Sequence, residues 1–106
     1  MYIEVRPEEY ELITTNSDYS GIGAGYFKTE DELSKGIERI LDEYVKKSSR
    51  TSMTLFTGKN PVRYEGELLK TEDGWCLAES GRVVLDNLPK TLASRAFRKV
   101  EIELYK

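Results

Sequence analysis

Apolar and polar residues alternate with a period of two along most of the chain and change to a helical period in two places. Met1, Ile3 and Val5 alternate with Tyr2 and Glu4 until Pro7 interrupts the run, and alternation resumes in EYELIT (9–14). A period of two marks a half-buried strand, and proline breaks one. The two pieces therefore read as one bent strand or two short ones.

The first helical stretch is TEDELSKGIERILDEYVKKS (29–48). Thr29 stands at the N-cap position, with Glu32 three residues on to complete a capping box. Glu30, Asp31 and Glu32 fill the electropositive first turn, and Lys46 and Lys47 the electronegative last one. Leu33, Ile37, Ile40, Leu41, Tyr44 and Val45 form an apolar stripe at helical spacing. These features predict a helix over 30–47. Gly36 costs such a helix about 1 kcal/mol relative to alanine, which points to close approach of a neighbour.

The rest reads as sheet. SMTLFT (52–57), VRYEGELL (62–69), WCLAE (75–79) and RVVLD (82–86) are separated by GKNP, TEDG and Ser80–Gly81, the pattern of a β-meander over 52–86. Asn87 and Pro89 open a short helix of about 89–97. In KVEIELY (99–105), Val100, Ile102 and Leu104 alternate with charged residues. The expected fold is α+β in a single domain over 1–106. It is a two-layer sandwich of an antiparallel or mixed sheet of five or six strands with one long and one short helix. A half-open barrel is the alternative, since the meander can curl.

Composition narrows the chemistry. The chain has 106 residues, 39% hydrophobic and 33% charged, which suits a globular domain with its own core. The lone Cys76 has no disulfide partner, no apolar run reaches the ~20 residues of a transmembrane helix, and the N-terminus has no signal-peptide pattern. The expectation is a cytoplasmic protein with no membrane role. Histidine is absent, which removes histidine triads, Cys–His dyads and the commonest metal ligand. No metal and no cofactor is expected. Strand residues Arg63, Glu65 and Glu67 read as a wet sheet face rather than a catalytic pair.

Two stretches stand out as candidate sites. NSDYSGIGAGYF (16–27) carries Gly21, Gly23 and Gly25. The spacing departs from G-x-G-x-x-G, and the helix cap lies four residues beyond Gly25, so the amides that would meet a pyrophosphate are misplaced. A Walker Gly-Lys-Ser/Thr is also missing. The stretch reads as a flexible connection with glycines at φ > 0, and Tyr19, Gly21, Gly23, Gly25 and Tyr26 form a candidate partner-binding loop. On the short helix, Lys90, Thr91, Ser94, Arg95 and Arg98 share one side of a helical wheel, and Lys99 follows. Residues 87–100 hold four basic and no acidic side chains, a composition suited to phosphate contacts. The plainer reading is charge balance, because residues 1–45 carry eleven acids against four bases and residues 46–106 eight against twelve.

The absence of catalytic groups favours a small non-enzymatic protein-binding module, regulatory or inhibitory toward a larger protein. Strands such as 1–5 or 52–57 offer edges for a homodimer. Nucleic-acid binding through Lys90, Thr91, Ser94, Arg95, Arg98 and Lys99 is the alternative. A histidine-free enzyme using Tyr, Arg, Lys or Glu comes third.

Overall fold

The computed structural model describes residues 10–16, 21–45, 49–57, 60–96 and 99–105, with the side chains of residues 16, 21–24 and 49 left aside. The elements are β1 (Tyr10–Asn16), β2 (Gly21–Phe27), α1 (Glu30–Tyr44), β3 (Ser49–Phe56), β4 (Val62–Thr71), β5 (Gly74–Glu79), β6 (Arg82–Leu85), α2 (Leu88–Arg95) and β7 (Lys99–Leu104). The predicted strand at 1–5 lies outside the described residues.

The fold is α+β, with one mixed sheet of seven strands in the order β2-β1-β7-β3-β4-β5-β6. Among the described residues, five of its six pairings are antiparallel, and only β1 and β7 run parallel. The seventh strand, beyond the expected five or six, is β2, which occupies the glycine stretch. Among the described residues β2 and β6 end the order unpaired with each other, as an open sheet rather than a closed barrel. β3, which contains 52–56, is flanked by β7 and β4. It therefore offers no edge to a second copy, which corrects that expectation.

Two crossovers place the helices. From β2 the chain passes through α1 to β3, and from β6 through α2 to β7. The pairings make both crossovers parallel and opposite in direction across the sheet. Crossovers of one hand then put both helices on the same face, and α1 and α2 pack against each other there. Under them lie Leu12, Met53, Leu55, Leu68, Leu77, Val100 and Ile102, facing Leu33, Ile37, Leu41, Leu88 and Leu92, all essentially without exposure. One buried polar group on this face stands out. Thr14 is fully buried and its hydroxyl has no hydrogen-bond partner.

The predicted helix start holds at atomic detail. The Glu32 N–H donates to Thr29 Oγ1 at 3.1 Å, while the Glu32 carboxylate accepts from the Lys28 N–H at 3.1 Å, one residue before the usual capping-box partner. α1 ends at Val45, whose N–H donates to the Leu41 carbonyl at 2.9 Å. Lys46 and Lys47 lie outside the described residues. At the far end, Asp42 accepts from Trp75 Nε1 at 2.8 Å and from Lys70 Nζ at 2.5 Å, tying α1 to β4 and β5. The Lys70 hydrogen bond, then the Trp75 one, holds the Asp42 carboxyl below its usual pKa.

Candidate protein interface

β2 is a strand because β1 gives it a ladder. Tyr10 lies opposite Phe27, Leu12 opposite Gly25 and Thr14 opposite Gly23. Leu12 faces the helices, so Gly25 and Phe27 lie on the helix side and Tyr26 on the open side.

The glycines at 25 and 36 make room for one ring. A methyl group on Gly25 would stand 3.3 Å from Cε2 of Phe27, and one on Gly36 only 2.4 Å from Cζ. The Phe27 ring is thus held between its own strand and α1. Among the described residues, the glycines at positive φ are Gly74, the first residue of β5, and Gly81, in the turn before β6. The expectation of a flexible loop with φ > 0 around Gly21, Gly23 and Gly25 is therefore corrected. These residues belong to a strand whose ladder with β1 shifts register between Thr14 and Thr15, passing from Gly23 to Gly21, with Tyr26 beside them 59% exposed. Tyr19 lies outside the described residues.

The two edges of the sheet differ. β6 is four residues long, begins with Arg82 and meets β5 through an irregular register between Leu77 and Ala78. Shortness, charge and bulges are the usual protections of an edge strand. β2 also meets β1 through a register shift, between Thr14 and Thr15, but it has seven residues, GIGAGYF, without charge or proline, and among the described residues no strand pairs with its outer side. Alongside it runs a shallow groove of about 290 Å³, lined by Phe27, Glu32, Lys35, Gly36 and Arg39. Lys35 is paired with Asp31 at 3.1 Å.

The cationic set is divided by the fold. On α2, Lys90, Ser94 and Arg95 are exposed and Thr91 is partly buried. Thr91 Oγ1 donates to the Asp86 carbonyl, Ser94 Oγ to the Thr91 carbonyl, and Arg95 Nη1 to Tyr64 Oη. Lys90 lines a groove of about 430 Å³ together with Glu30 and Asp31 of α1, carboxylates that would repel a phosphate. Lys99 lies on the opposite sheet face, because Val100 next to it points into the core. There it pairs with Glu101 at 3.2 Å and sits over the Phe56 ring at 4.8 Å. Arg98 lies outside the described residues.

The open face holds a feature the period-two pattern did not reveal. A hollow of about 290 Å³ is lined by Ile13, Thr15, Ser52, Thr54, Arg63, Glu101 and Glu103, with Ile102 beneath. Only the strand order brings these residues together, since β1, β7, β3 and β4 are scattered along the chain. Cys76 is buried, and burial pushes its thiol pKa up, which keeps it unreactive.

Among the described residues, no group of three carboxylate or thiol side chains is placed to hold a metal. No described helix is long and apolar enough to cross a membrane. No family model, curated protein or solved structure matches the chain.

Proposed function

We propose that the chain is a non-enzymatic protein-binding module that engages its partner by strand addition at the outer edge of β2. The observation that supports this reading is the contrast between the two edges. One is short and begins with a charge, and the other is a seven-residue uncharged strand with a groove around Phe27 beside it, while a register shift is common to both. An extended segment laid along β2 would take up its free N–H and C=O groups, and alternate side chains of that segment would enter the groove beside Phe27.

The test is site-specific photo-crosslinking with benzoylphenylalanine at position 26 and, as a control, at position 90. The expected result is a protein adduct at 26 that disappears when Ala24→Lys places a charge on the edge, and none at 90. Adducts only at position 90, or salt-sensitive RNA binding lost on reversing Lys90 and Arg95, would overturn the reading in favour of the α2 face.

A further inference from the structure

We infer that the hollow on the open face of the sheet is a binding site for a primary alkylammonium group, seated over Glu103. Met53, Leu55, Val100 and Ile102 point to the helices, so Ser52, Thr54, Glu101 and Glu103 point the other way. Thr15 stands opposite Glu103 on the β1 side, and Ser52 opposite it on the β3 side. Ser52 in turn faces Glu65 of β4. One row across four strands therefore reads Thr15, Glu103, Ser52, Glu65, with two hydroxyls, two carboxylates and no cation.

Pairing around the hollow leaves one charge over. Arg63 is taken by Glu65 at 2.9 Å, and Lys99 by Glu101 at 3.2 Å. Among the described residues no cation pairs with the carboxylate of Glu103, which is partly buried. Arg50, one row beyond Ser52, does not line the hollow and has an interaction of its own. Arg63 stands two strands and one row from Glu103, about 12 Å between Cα positions, where its charge is offset by Glu65 and screened by salt. A second observation points to a ligand rather than to a bare charge. Ser52 is only 4% exposed and lines the hollow, yet among the described residues its hydroxyl donates to no group and accepts from none. Unlike the sealed hydroxyl of Thr14, it keeps access from the hollow. It has given up most of its water without a protein partner in return, and a donor seated beside it would supply the missing bond.

The inventory of donors and acceptors selects the ligand. A primary ammonium has three N–H donors and no acceptor. Glu103 with a hydroxyl on each side offers three acceptor positions at strand spacing, about 4.8 Å apart, and the central one makes a charge-assisted hydrogen bond. A phosphate or carboxylate would meet Glu103 and be repelled. A quaternary ammonium has the charge but no donor for Ser52. The hollow, of about 290 Å³, has room for several carbons behind the nitrogen, and Ile13 gives that chain an apolar wall beside Thr15. A free alkylamine and a lysine side chain both present this group.

The experiment titrates the nitrogen-15-labelled full chain with butylammonium chloride at constant ionic strength and follows the backbone amides by two-dimensional NMR. The expected result is saturable shifts at Ile13, Thr15, Ser52, Thr54, Glu101 and Glu103, with the amides of α1 and α2 unmoved. Butanol and tetramethylammonium chloride at the same concentrations should move none of them. Glu103→Gln should weaken binding about tenfold and Ser52→Ala about fivefold, while Lys90→Gln leaves it unchanged. Unshifted amides away from the hollow establish that each variant folds. A lysine blocked at its α-amino and carboxyl groups separates the two sources. Tighter binding than butylammonium assigns a lysine side chain and equal binding a free amine, and either supports the site. Shifts that appear equally with butanol, that spread over the acidic surface without saturating, or that survive Glu103→Gln unchanged overturn the proposal. So does a spectrum that millimolar butylammonium leaves unmoved.

Discussion

Replacing Gly36 with alanine opposes two effects of known size. In a solvent-exposed helix the change stabilises by about 1 kcal/mol, because glycine loses more backbone entropy on folding. Here the new methyl group would stand 2.4 Å from Cζ and 2.7 Å from Cε1 of Phe27, well inside van der Waals contact. On its other side the ring lies close to the Gly25 backbone, where an added methyl group would stand only 3.3 Å from Cε2. Overpacking of this kind costs about 1–3 kcal/mol. The steric cost should therefore exceed the helix gain, and Gly36→Ala should destabilise the fold by about 1 kcal/mol. The decisive step is a double-mutant cycle with Phe27→Ala, followed by urea denaturation. Without the ring, Gly36→Ala should stabilise by about 0.5–1 kcal/mol, giving a coupling of about 2 kcal/mol between the two positions. If Gly36→Ala stabilises the chain with Phe27 in place, the ring does not occupy that space and the account of β2 fails with it.

Three further changes test other parts of the fold. Thr14→Val removes a fully buried hydroxyl without a partner and should raise stability by about 1 kcal/mol in urea denaturation, with the sheet unchanged. Asp42→Ala should cost about 1 kcal/mol near neutral pH by freeing the Trp75 indole N–H. Because the folded pKa of Asp42 is depressed, its contribution is present above the usual carboxylate range and is lost as pH falls through the lowered value, so the stability curves of wild type and Asp42→Asn should converge in acid. Gly66→Ala would bring a methyl group 2.4 Å from the Ala78 carbonyl oxygen. Backbone cannot rotate away as a side chain can, so a loss of about 2–3 kcal/mol is expected in thermal or urea unfolding.

The elements that were legible in the sequence are those whose own side chains carry the period. α1 announced itself through Thr29, Glu32 and the stripe from Leu33 to Leu41, β4 and β7 through alternation, and β5 through the turns TEDG and Ser80–Gly81 on either side of it. β2 was hidden because three glycines stand where an alternating strand would show its apolar face. Their reason lies elsewhere in the chain, in the Phe27 ring, the approach of Gly36 and the ladder from β1. The cationic set failed to come together for a related reason. A wheel drawn through residues 90–98 runs on into Lys99, but the chain leaves the helix at Ala96 and resumes as a strand. Alternation along that strand sends Lys99 to the far side of the sheet. The open-face hollow depends wholly on strand order, which no local pattern encodes.

The parallel pairing of β7 with β1 has a consequence for how the chain reaches this state. Among the described residues, β1 otherwise pairs only with β2, and β3 otherwise only with β4. Without residues 99–104, the sheet would be a two-stranded ribbon and a separate meander with no ladder between them. During synthesis the two halves must wait, since the strand that joins them is translated after both. Closing contacts of such long sequence separation is slow, and through that interval the β1 and β3 faces that will flank β7 stay uncovered. The middle of the sheet is the last part of it to be made, so a peptide carrying residues 99–105, added in trans to a chain ending at 98, would act as a keystone.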